Sequence, residues 1–344
     1  MDTAKLLLEF SALTGTPGME DEVRDYAFRW LSNYGNVTLT PLGSVVCNIK
    51  EPAKKEPHIL LDAHIDEIGM VVTMIDGDGF LKVAPSGGVD RRLLMASPVI
   101  VHTKDGPMDG VICSIPPHLQ SGEEKKNPPV EDISIDMGMD KEMCERKIRP
   151  GDRVTFRSSA CRLLGDIVSC KALDNRAGCL SLICALEYLG HNIPCGLTVQ
   201  FSSMEEVGGM GAKTGAYQID PTHAIVVDVS FACTPDSEQA KCGVLGGGPM
   251  IGYAPILSHC MSEQLVTLAT ENAIPWQAEI MGGATGTNAD AIAPLRQGVQ
   301  TALLSIPLKY MHTPIEVVSI ADVEATGKLV AALVKNIAGG GIGK

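Results

Sequence analysis

The chain has 344 residues, of which 45% are hydrophobic, and a formal net charge of −13. This length and hydrophobic content exclude an intrinsically disordered protein. The acidic balance argues against a nucleic-acid partner, because binding to a phosphate backbone needs concentrated positive charge.

Two further features of the composition bear on location. No stretch approaches the roughly 18 apolar residues that a membrane span requires, so we expect no membrane partner. The 11 cysteines are an odd number without a CxxC pair. This pattern predicts reduced thiols and a cytoplasmic protein.

The first hundred residues begin with helical signals and continue with strands. Apolar residues at helical spacing predict helices over 2–14 and 20–34, the first of them in place of a secretion signal. Residues 44–50 and 57–63 are predicted strands, and the second is apolar enough to lie inside a sheet.

His64 and Asp66 follow the second of these strands, in the run LLDAHIDEIG. Two residues apart on an extended segment, they face the same side. A metal-binding histidine commonly needs a partner that fixes its tautomer, and Asp66 is placed to do this directly or through the backbone turn. The alternative is an ordinary surface turn.

The residue pattern changes over the segment from about Gly69 to Arg162. Short Val-rich stretches broken by Gly and Pro predict a small β-rich unit rather than further α/β alternation. Within it, the charged and proline-rich run 119–131 is expected to be a mobile exposed loop.

After this unit, three carboxylate positions follow or interrupt predicted core elements. Asp174 lies at the start of a predicted helix over 173–189, where an N-cap role is the competing explanation. Glu205 and Glu206 follow the strand GLTVQFSS, and a solvated turn is the alternative for this pair. Asp228 interrupts the apolar strand HAIVVDVS, where an unpaired carboxylate needs a cation or hydrogen-bond donors.

The last part of the chain supplies a second histidine. The run MGGATGTNADAI at 281–292 is predicted to be loop and turn, and the strand TALLSIPL follows it. His312 comes just after that strand. The final helix is predicted over 320–337.

These polar residues share one kind of place, the carboxyl end or turn of an apolar strand. In open α/β sheets this edge binds ligands. Two histidines and three carboxylates suit a pair of divalent ions with one bridging carboxylate, and a further carboxylate would then carry protons. The members are His64, Asp174, Glu205, Glu206, Asp228 and His312.

Six motifs occur in this order along the chain: DAHIDEIG, ALDNRAG, SSMEEVGGMGA, VVDVS, GTNADAI and SIPLKYMHTPIEV. With these motifs, and across nearly its whole length, the chain resembles the M42 family of dinuclear metallo-aminopeptidases, of the tetrahedral aminopeptidase type. The family more often shows GTDA where this chain has GTNADAI. An α/β fold is expected, with a mostly parallel or mixed sheet sandwiched by helices.

The resemblance implies an inserted, PDZ-like dimerisation domain over 69–162, between catalytic segments 1–68 and 163–344. It also implies that dimers assemble into a dodecamer. Peptides are the implied substrates, cleaved at the N-terminus by a hydroxide that bridges two divalent metals, zinc or cobalt, with manganese as a further option.

The resemblance also assigns roles to the candidate residues. It implies His64, Asp174 and Asp228 at one metal and Asp174, Glu206 and His312 at the other, so that Asp174 bridges. Glu205 takes the place of the general base, and Asp66 that of the carboxylate that supports His64.

Three alternatives remain at this stage. A glycoside hydrolase of the endoglucanase type also uses two carboxylates, but it leaves the histidines and Asp228 unexplained. A metal-dependent carboxypeptidase or deacylase would use a similar metal pair. A scaffold whose acidic residues are structural would bind no stoichiometric metal.

Overall fold

The computed structural model describes residues 2–120, 127–190, 193 and 195–341. The α-helices of these residues, numbered along the chain, are α1 Thr3–Ala12, α2 Asp21–Leu31, α3 Lys141–Lys147, α4 Leu173–Leu189, α5 Met210–Ile219, α6 His259–Glu271, α7 Asn288–Ile292 and α8 Ile320–Ala338. None of these helices is both long and apolar enough to cross a membrane.

The strands form a large sheet and a small barrel. In chain order they are β1 Asn36–Leu39, β2 Val45–Lys50, β3 His58–His64, β4 Gly69–Ile75, β5 Leu81–Ser86, β6 Pro98–Thr103, β7 Gly106–Ile112, β8 Ile135–Asp136, β9 Arg153–Phe156, β10 Cys161–Arg162, β11 Ile167–Cys170, β12 Gly196–Ser202, β13 His223–Phe231, β14 Met250–Tyr253, β15 Gln277–Ile280, β16 Gln300–Lys309 and β17 Glu316–Ser319.

The large sheet is mixed. Its order is β1-β2-β12-β3-β13-β16-β17-β11-β10, and β14 joins β16 to β15. The four central strands β12, β3, β13 and β16 are parallel to one another. The pairs at both ends are antiparallel. The carboxyl ends of the four central strands therefore meet at one edge, where ligands bind in sheets of this kind.

Helices cover both faces of this sheet. Alternate residues of a strand point to opposite sides, and the central strands carry apolar residues on both sides. On β3, Ile59 and Leu61 face a core that also includes residues of α1, α2, α4, α6 and α8. Leu60 faces a second core with residues of α5 and α7. The expected α/β fold with a central mixed sheet between helices is confirmed.

The strands of the barrel lie in the sequence between two groups of strands that form the large sheet. It closes in the order β4-β5-β8-β7-β6-β9, with antiparallel neighbours, around its own apolar core. The predicted β-rich unit is therefore present. By Cys161, at β10, the chain has returned to the large sheet.

Most elements predicted from periodicity are confirmed, including the helix over Leu173–Leu189 and the strand that ends beside Glu205. The prediction of only loop and turn over 281–292 is wrong, since α7 forms there. Thr287 starts this short helix by accepting a hydrogen bond from the backbone N–H of Ala289. Of the expected loop over 119–131, residues 121–126 lie outside the described residues.

Arg176, on α4, fastens the N-terminal segment to the end of β3. Its side chain is completely buried and donates hydrogen bonds to the carbonyls of Phe10, at 2.9 Å, and of Ile65, at 3.3 Å. It also lies 3.5 Å from the Glu67 carboxylate. This one guanidinium thus holds α1 against the loop that follows His64.

We expect Arg176→Ala to lower the free energy of unfolding by about 3–5 kcal/mol, because it leaves the buried Glu67 carboxylate and several carbonyls with fewer partners. Urea unfolding followed by circular dichroism measures the change. The control is Arg162→Ala, since the Arg162 side chain is 53% exposed and surface changes usually stay within about 0.5 kcal/mol. Equal urea midpoints for both variants would contradict this role.

Candidate metal centre

The structure brings the six candidate residues together at the carboxyl edge of the central strands. His64 is the last residue of β3, and Asp228 lies within β13. Glu205 and Glu206 follow β12, and His312 follows β16. Asp174, at the start of α4, lies between the two histidines.

Asp174 does not cap the helix. The backbone of Asp174 is not helical, with φ −77° and ψ 105°, and it is Asn175 Oδ1 that accepts a backbone N–H of the first turn, that of Gly178, at 3.1 Å. Asp174 Oδ1 lies 3.1 Å from His64 Nε2, and its Oδ2 lies 3.3 Å from His312 Nε2. One carboxylate therefore faces both histidines, one oxygen to each, which is the arrangement of a bridging ligand.

Two donor clusters share Asp174. In the first, His64 Nε2 lies 3.7 Å from Asp228 Oδ1. In the second, His312 Nε2 lies 3.4 Å from Glu206 Oε1. Donors of His64, Asp174 and Glu206 also fall within 4.8 Å of one another.

These separations fit a divalent ion. Ligand atoms about 2.0–2.2 Å from a tetrahedral metal lie roughly 3.3–3.6 Å from each other. The measured distances of 3.1 to 3.7 Å bracket that range. Imidazole and carboxylate are also the ligand types that zinc and similar ions accept.

The electrostatics of the site point the same way. Burial raises the pKa of Asp228 well above its ordinary value, and the carboxylates of Glu205 and Asp174 add to this. Burial lowers the pKa of His312, but its hydrogen bond to Asp174 outweighs that effect and raises the pKa to about 11. For Asp174 burial is likewise outweighed, and His312 and His64 hold its pKa below the ordinary range. Several carboxylates thus share one buried place, and a cation bound there would stabilise their ionised forms.

Asp66 supports the site mainly through its hydrogen bonds to backbone. Its carboxylate accepts the N–H groups of Glu205, at 3.0 Å, and Glu206, at 3.1 Å. Its carbonyl accepts the Nδ1–H of His64 at 3.1 Å, and its Oδ1 lies 3.6 Å from that nitrogen. The backbone carbonyl fixes the tautomer of His64, and the carboxylate fixes the turn that carries both glutamates.

Glu205 stands beside the clusters. Its Oε2 lies 4.0 Å from His64 Nε2, and its side chain is 16% exposed, more than that of Asp174 or Asp228. Burial raises the pKa of Glu205 to about 7. A carboxyl group with a pKa near neutrality is suited to accept and return a proton.

Sequence analysis missed Glu316, which orients two of the donors. It is buried in β17, where one carboxylate oxygen accepts the N–H of Asp174 at 3.0 Å and the other accepts the N–H of His312 at 2.8 Å. His312 has a φ of 62°, a left-handed conformation that needs such support. The signal for Glu316 was a carboxylate at the start of the apolar strand EVVS.

The motif GTNADAI contributes a buried hydrogen-bonding residue next to the site. Asn288 is buried, and its Nδ2 donates to Asp62 Oδ2 and to Ser202 Oγ, both at 2.8 Å. Burial raises the pKa of Asp62 to about 6. The preceding residues Thr285, Gly286 and Thr287 line the cavity instead. The Asn288 side chain is therefore bonded within the protein interior.

The barrel also reaches the centre, through Gly87 and Gly88 after β5. A Cβ added at Gly88 would lie 2.7 Å from Nδ1 and 2.9 Å from Cε1 of His312. A Cβ added at Gly87 would lie 3.1 Å from the Glu206 side chain. Glycines at these positions let the barrel loop pack directly on two donors of the second cluster.

We expect Gly88→Ala to displace His312 and lower metal content and activity by about 10- to 100-fold, the range for residues that support metal ligands. Metal analysis and steady-state hydrolysis of a peptide substrate measure the effect. Gly77→Ala is the matched control, since nothing lies within 4 Å of a Cβ at this barrel position. Unchanged metal content in Gly88→Ala would show that the loop tolerates the methyl group.

An open cavity of about 800 Å³ leads to the clusters. It is lined by the donors themselves and by residues of β13 to β16, among them Phe231, Glu279, Ile280 and Ser305. Such a volume accommodates a small molecule or the end of a peptide.

Comparison with known proteins identifies the family of the chain. The family model described as M42 glutamyl aminopeptidase matches residues 43–329. The chain belongs to the M42 peptidase family. All six candidate residues fall within the matched range.

Individual relatives of this M42 chain are named aminopeptidases. A lysyl aminopeptidase of Pyrococcus furiosus is 32% identical over 305 residues, which are 88% of this chain and 87% of the relative. A putative aminopeptidase of Acetivibrio thermocellus is 34% identical over 336 residues, 95% of this chain and 97% of the relative. The M42 chain is accordingly an enzyme, a hydrolase of the aminopeptidase class.

Solved structures share the fold. An aminopeptidase from the archaeon Desulfurococcus kamchatkensis matches with a TM-score of 0.90 and 33% identity, over 97% of this chain and 94% of that one. The TET1 peptidase of Pyrococcus horikoshii matches with a TM-score of 0.84 and 32% identity, over 97% of this chain and 99% of that one. It is described as assembling into a tetrahedron or a large octahedral shell. A protein named endoglucanase from Thermotoga maritima matches with a TM-score of 0.78 and 28% identity, over 97% of this chain and 98% of that one.

Proposed function

We propose that this M42 enzyme removes N-terminal residues from peptides with the help of two divalent ions. His64, Asp174 and Asp228 would hold one ion, and Asp174, Glu206 and His312 the other. The observation that carries the proposal is the Asp174 carboxylate, whose two oxygens face the two histidines at 3.1 and 3.3 Å.

When bound, such ions polarise a carbonyl group and lower the pKa of water toward about 7. The chain supplies the proton transfer. Glu205 would accept the proton of the attacking water and return it to the departing amine, a role that its pKa of about 7 and its place in the cavity support. Asp66 positions Glu205 through the backbone hydrogen bond at 3.0 Å.

The site geometry does not favour a glycoside hydrolase. Glu206 lies 3.4 Å from His312, whereas Glu205 lies 4.0 Å from His64, so the pair is engaged with two histidines that sugar hydrolysis would not need. A carboxypeptidase or deacylase would use the same donors. Substrates with a free and with a blocked N-terminal amine are therefore needed to distinguish these activities experimentally.

The test combines metal analysis with a panel of aminoacyl p-nitroanilides, assayed with and without a chelator. We expect about two divalent ions per subunit, hydrolysis of free-amine substrates, loss of activity with the chelator and no hydrolysis of N-acetylated analogues. Cleavage of the acetylated compounds would favour a deacylase, and activity on a glucan in excess chelator would favour a glycosidase. Metal analysis would also identify the ion, for which we propose zinc or cobalt, with manganese as a further option.

We also propose the domain division 1–68, 69–162 and 163–344, with a PDZ-like dimerisation role for the inserted unit and a homododecamer as the assembly. The closed barrel within 69–162 and the assembly described for the Pyrococcus horikoshii relative support this. Light scattering coupled to size-exclusion chromatography tests the assembly.

A cytoplasmic location is proposed as well. All 11 cysteines are free thiols, including the exposed Cys161 and Cys260, which suits a reducing compartment. Fractionation of the source cells tests it.

A further inference from the structure

The cavity carries one carboxylate that the proposed catalysis does not use. Glu279 lies on β15, two strands away from β16, and its side chain lines the cavity. It belongs to neither donor cluster. A carboxylate in this position needs a separate explanation.

Two serines hold the Glu279 carboxylate in place. Ser230 Oγ donates to Oε1, and Ser305 Oγ donates to Oε2 at 2.6 Å. An ionised carboxylate offers about four acceptor positions, so these two bonds leave acceptor capacity free. The group is fixed in direction and still able to bind a donor.

The described part of the chain places no cation beside this group. Among the residues that the structure describes, no Lys, Arg or His nitrogen lies within 4.0 Å of the Glu279 carboxylate. Lys241 also lines the cavity, but its side chain is 74% exposed and its Nζ lies 2.8 Å from Glu238. The charge of Glu279 is therefore open to a cation that enters the cavity.

Part of the remaining cavity lining is apolar. Phe231, Ile280, Met281, Met250 and Leu303 line the same cavity. Phe231 and Ile280 are 58% and 75% exposed, so they present apolar surface to a molecule in the cavity. Apolar walls with a carboxylate suit a long aliphatic side chain that ends in a positive charge, because the methylene stem packs while the head is paired.

The two serines place the Glu279 carboxylate beside the first donor cluster. Of the two serines that hold Glu279, Ser230 is two residues beyond Asp228 on β13, about 6.6 Å along the strand, and Ser305 is paired with Asp228 on β16. The α-amine of a substrate stays next to the carbonyl that is cleaved. The Nζ of an extended lysine lies roughly 6 Å from its own α-carbon. A carboxylate held beside the first donor cluster is therefore within reach of the end of the N-terminal side chain.

We propose that Glu279 is a specificity-determining residue that selects peptides with an N-terminal lysine or arginine. This inference rests on the proposed aminopeptidase function. It assigns the apolar walls to the stem of the side chain and the serine-held carboxylate to its positive end.

The test compares Lys, Arg, Leu and Glu p-nitroanilides with wild-type enzyme and with Glu279→Gln. For the wild type we expect kcat/KM on Lys and Arg to exceed that on Leu at least about tenfold, and Glu to be the poorest substrate. Glu279→Gln should lose about 10- to 100-fold on Lys and Arg, as expected for loss of a charged hydrogen bond, with less than about threefold change on Leu.

Glu271→Gln, an exposed glutamate on α6, is the matched control and should keep the wild-type ratios. Leu hydrolysis reports the basal reaction and the folding of each variant. If Leu is cleaved but the Lys to Leu ratio does not respond to Glu279→Gln, this inference is overturned and the aminopeptidase proposal stands. A preference of the wild type for the Glu substrate would also overturn it, since that would assign the pocket to Lys241. If no free-amine substrate is cleaved with metal present, both proposals are wrong.

Discussion

Glu205→Gln should lower kcat by about 10²- to 10⁴-fold, the usual contribution of a general acid–base group. The amide has nearly the size of the carboxylate but cannot accept the proton of the attacking water. The side chain lies 4.0 Å from His64 Nε2, outside the closer contacts of the two donor clusters. We therefore expect its metal content to equal that of the wild type.

The measurement pairs steady-state kinetics on an aminoacyl p-nitroanilide with metal analysis of the same preparation. Glu271→Gln provides the control for a neutralised glutamate on the surface. Turnover near the wild-type rate with both ions present would remove Glu205 from the mechanism. Loss of metal in Glu205→Gln would instead make it a ligand.

Sequence patterns predicted the central strands and most of the donors for a simple reason. Parallel strands with apolar interiors have few ways to pair, and their carboxyl ends share an edge. His64 and Asp228, which end or interrupt such strands, were therefore expected at the same edge of the sheet. The family resemblance then supplied the pairing of Asp174 with both histidines, which the distances of 3.1 and 3.3 Å support.

Other parts of the site depend on tertiary packing that no local pattern records. Gly88 belongs to the barrel and meets His312 more than two hundred positions further along the chain. Glu316 supports Asp174 across a sequence separation of 142 residues. Helix α7 spans five residues, too few for helical periodicity to appear in the sequence.

Asp174→Asn should remove both ions, because one carboxylate serves both donor clusters. The amide keeps the size of the side chain but offers a single neutral oxygen, so the bridge between the clusters is lost. We expect metal content to fall from about two ions per subunit to almost none. Activity should fall more than about 100-fold, beyond the range for residues that only support ligands.

The same variant should also lose stabilisation by metal. An ion that binds only the folded state raises the free energy of unfolding by about 2.7 kcal/mol at a concentration 100 times its Kd. Thermal unfolding with and without added zinc measures this, and only the wild type should shift. Asp322→Asn is the control, since Asp322 is another buried carboxylate that accepts the N–H groups of Gly246 and Gly248 away from the site. Asp322→Asn should unfold at a lower temperature than the wild type, yet zinc should still raise that temperature. If zinc raised the unfolding temperature of Asp174→Asn as much as that of the wild type, the ions would bind without the bridge.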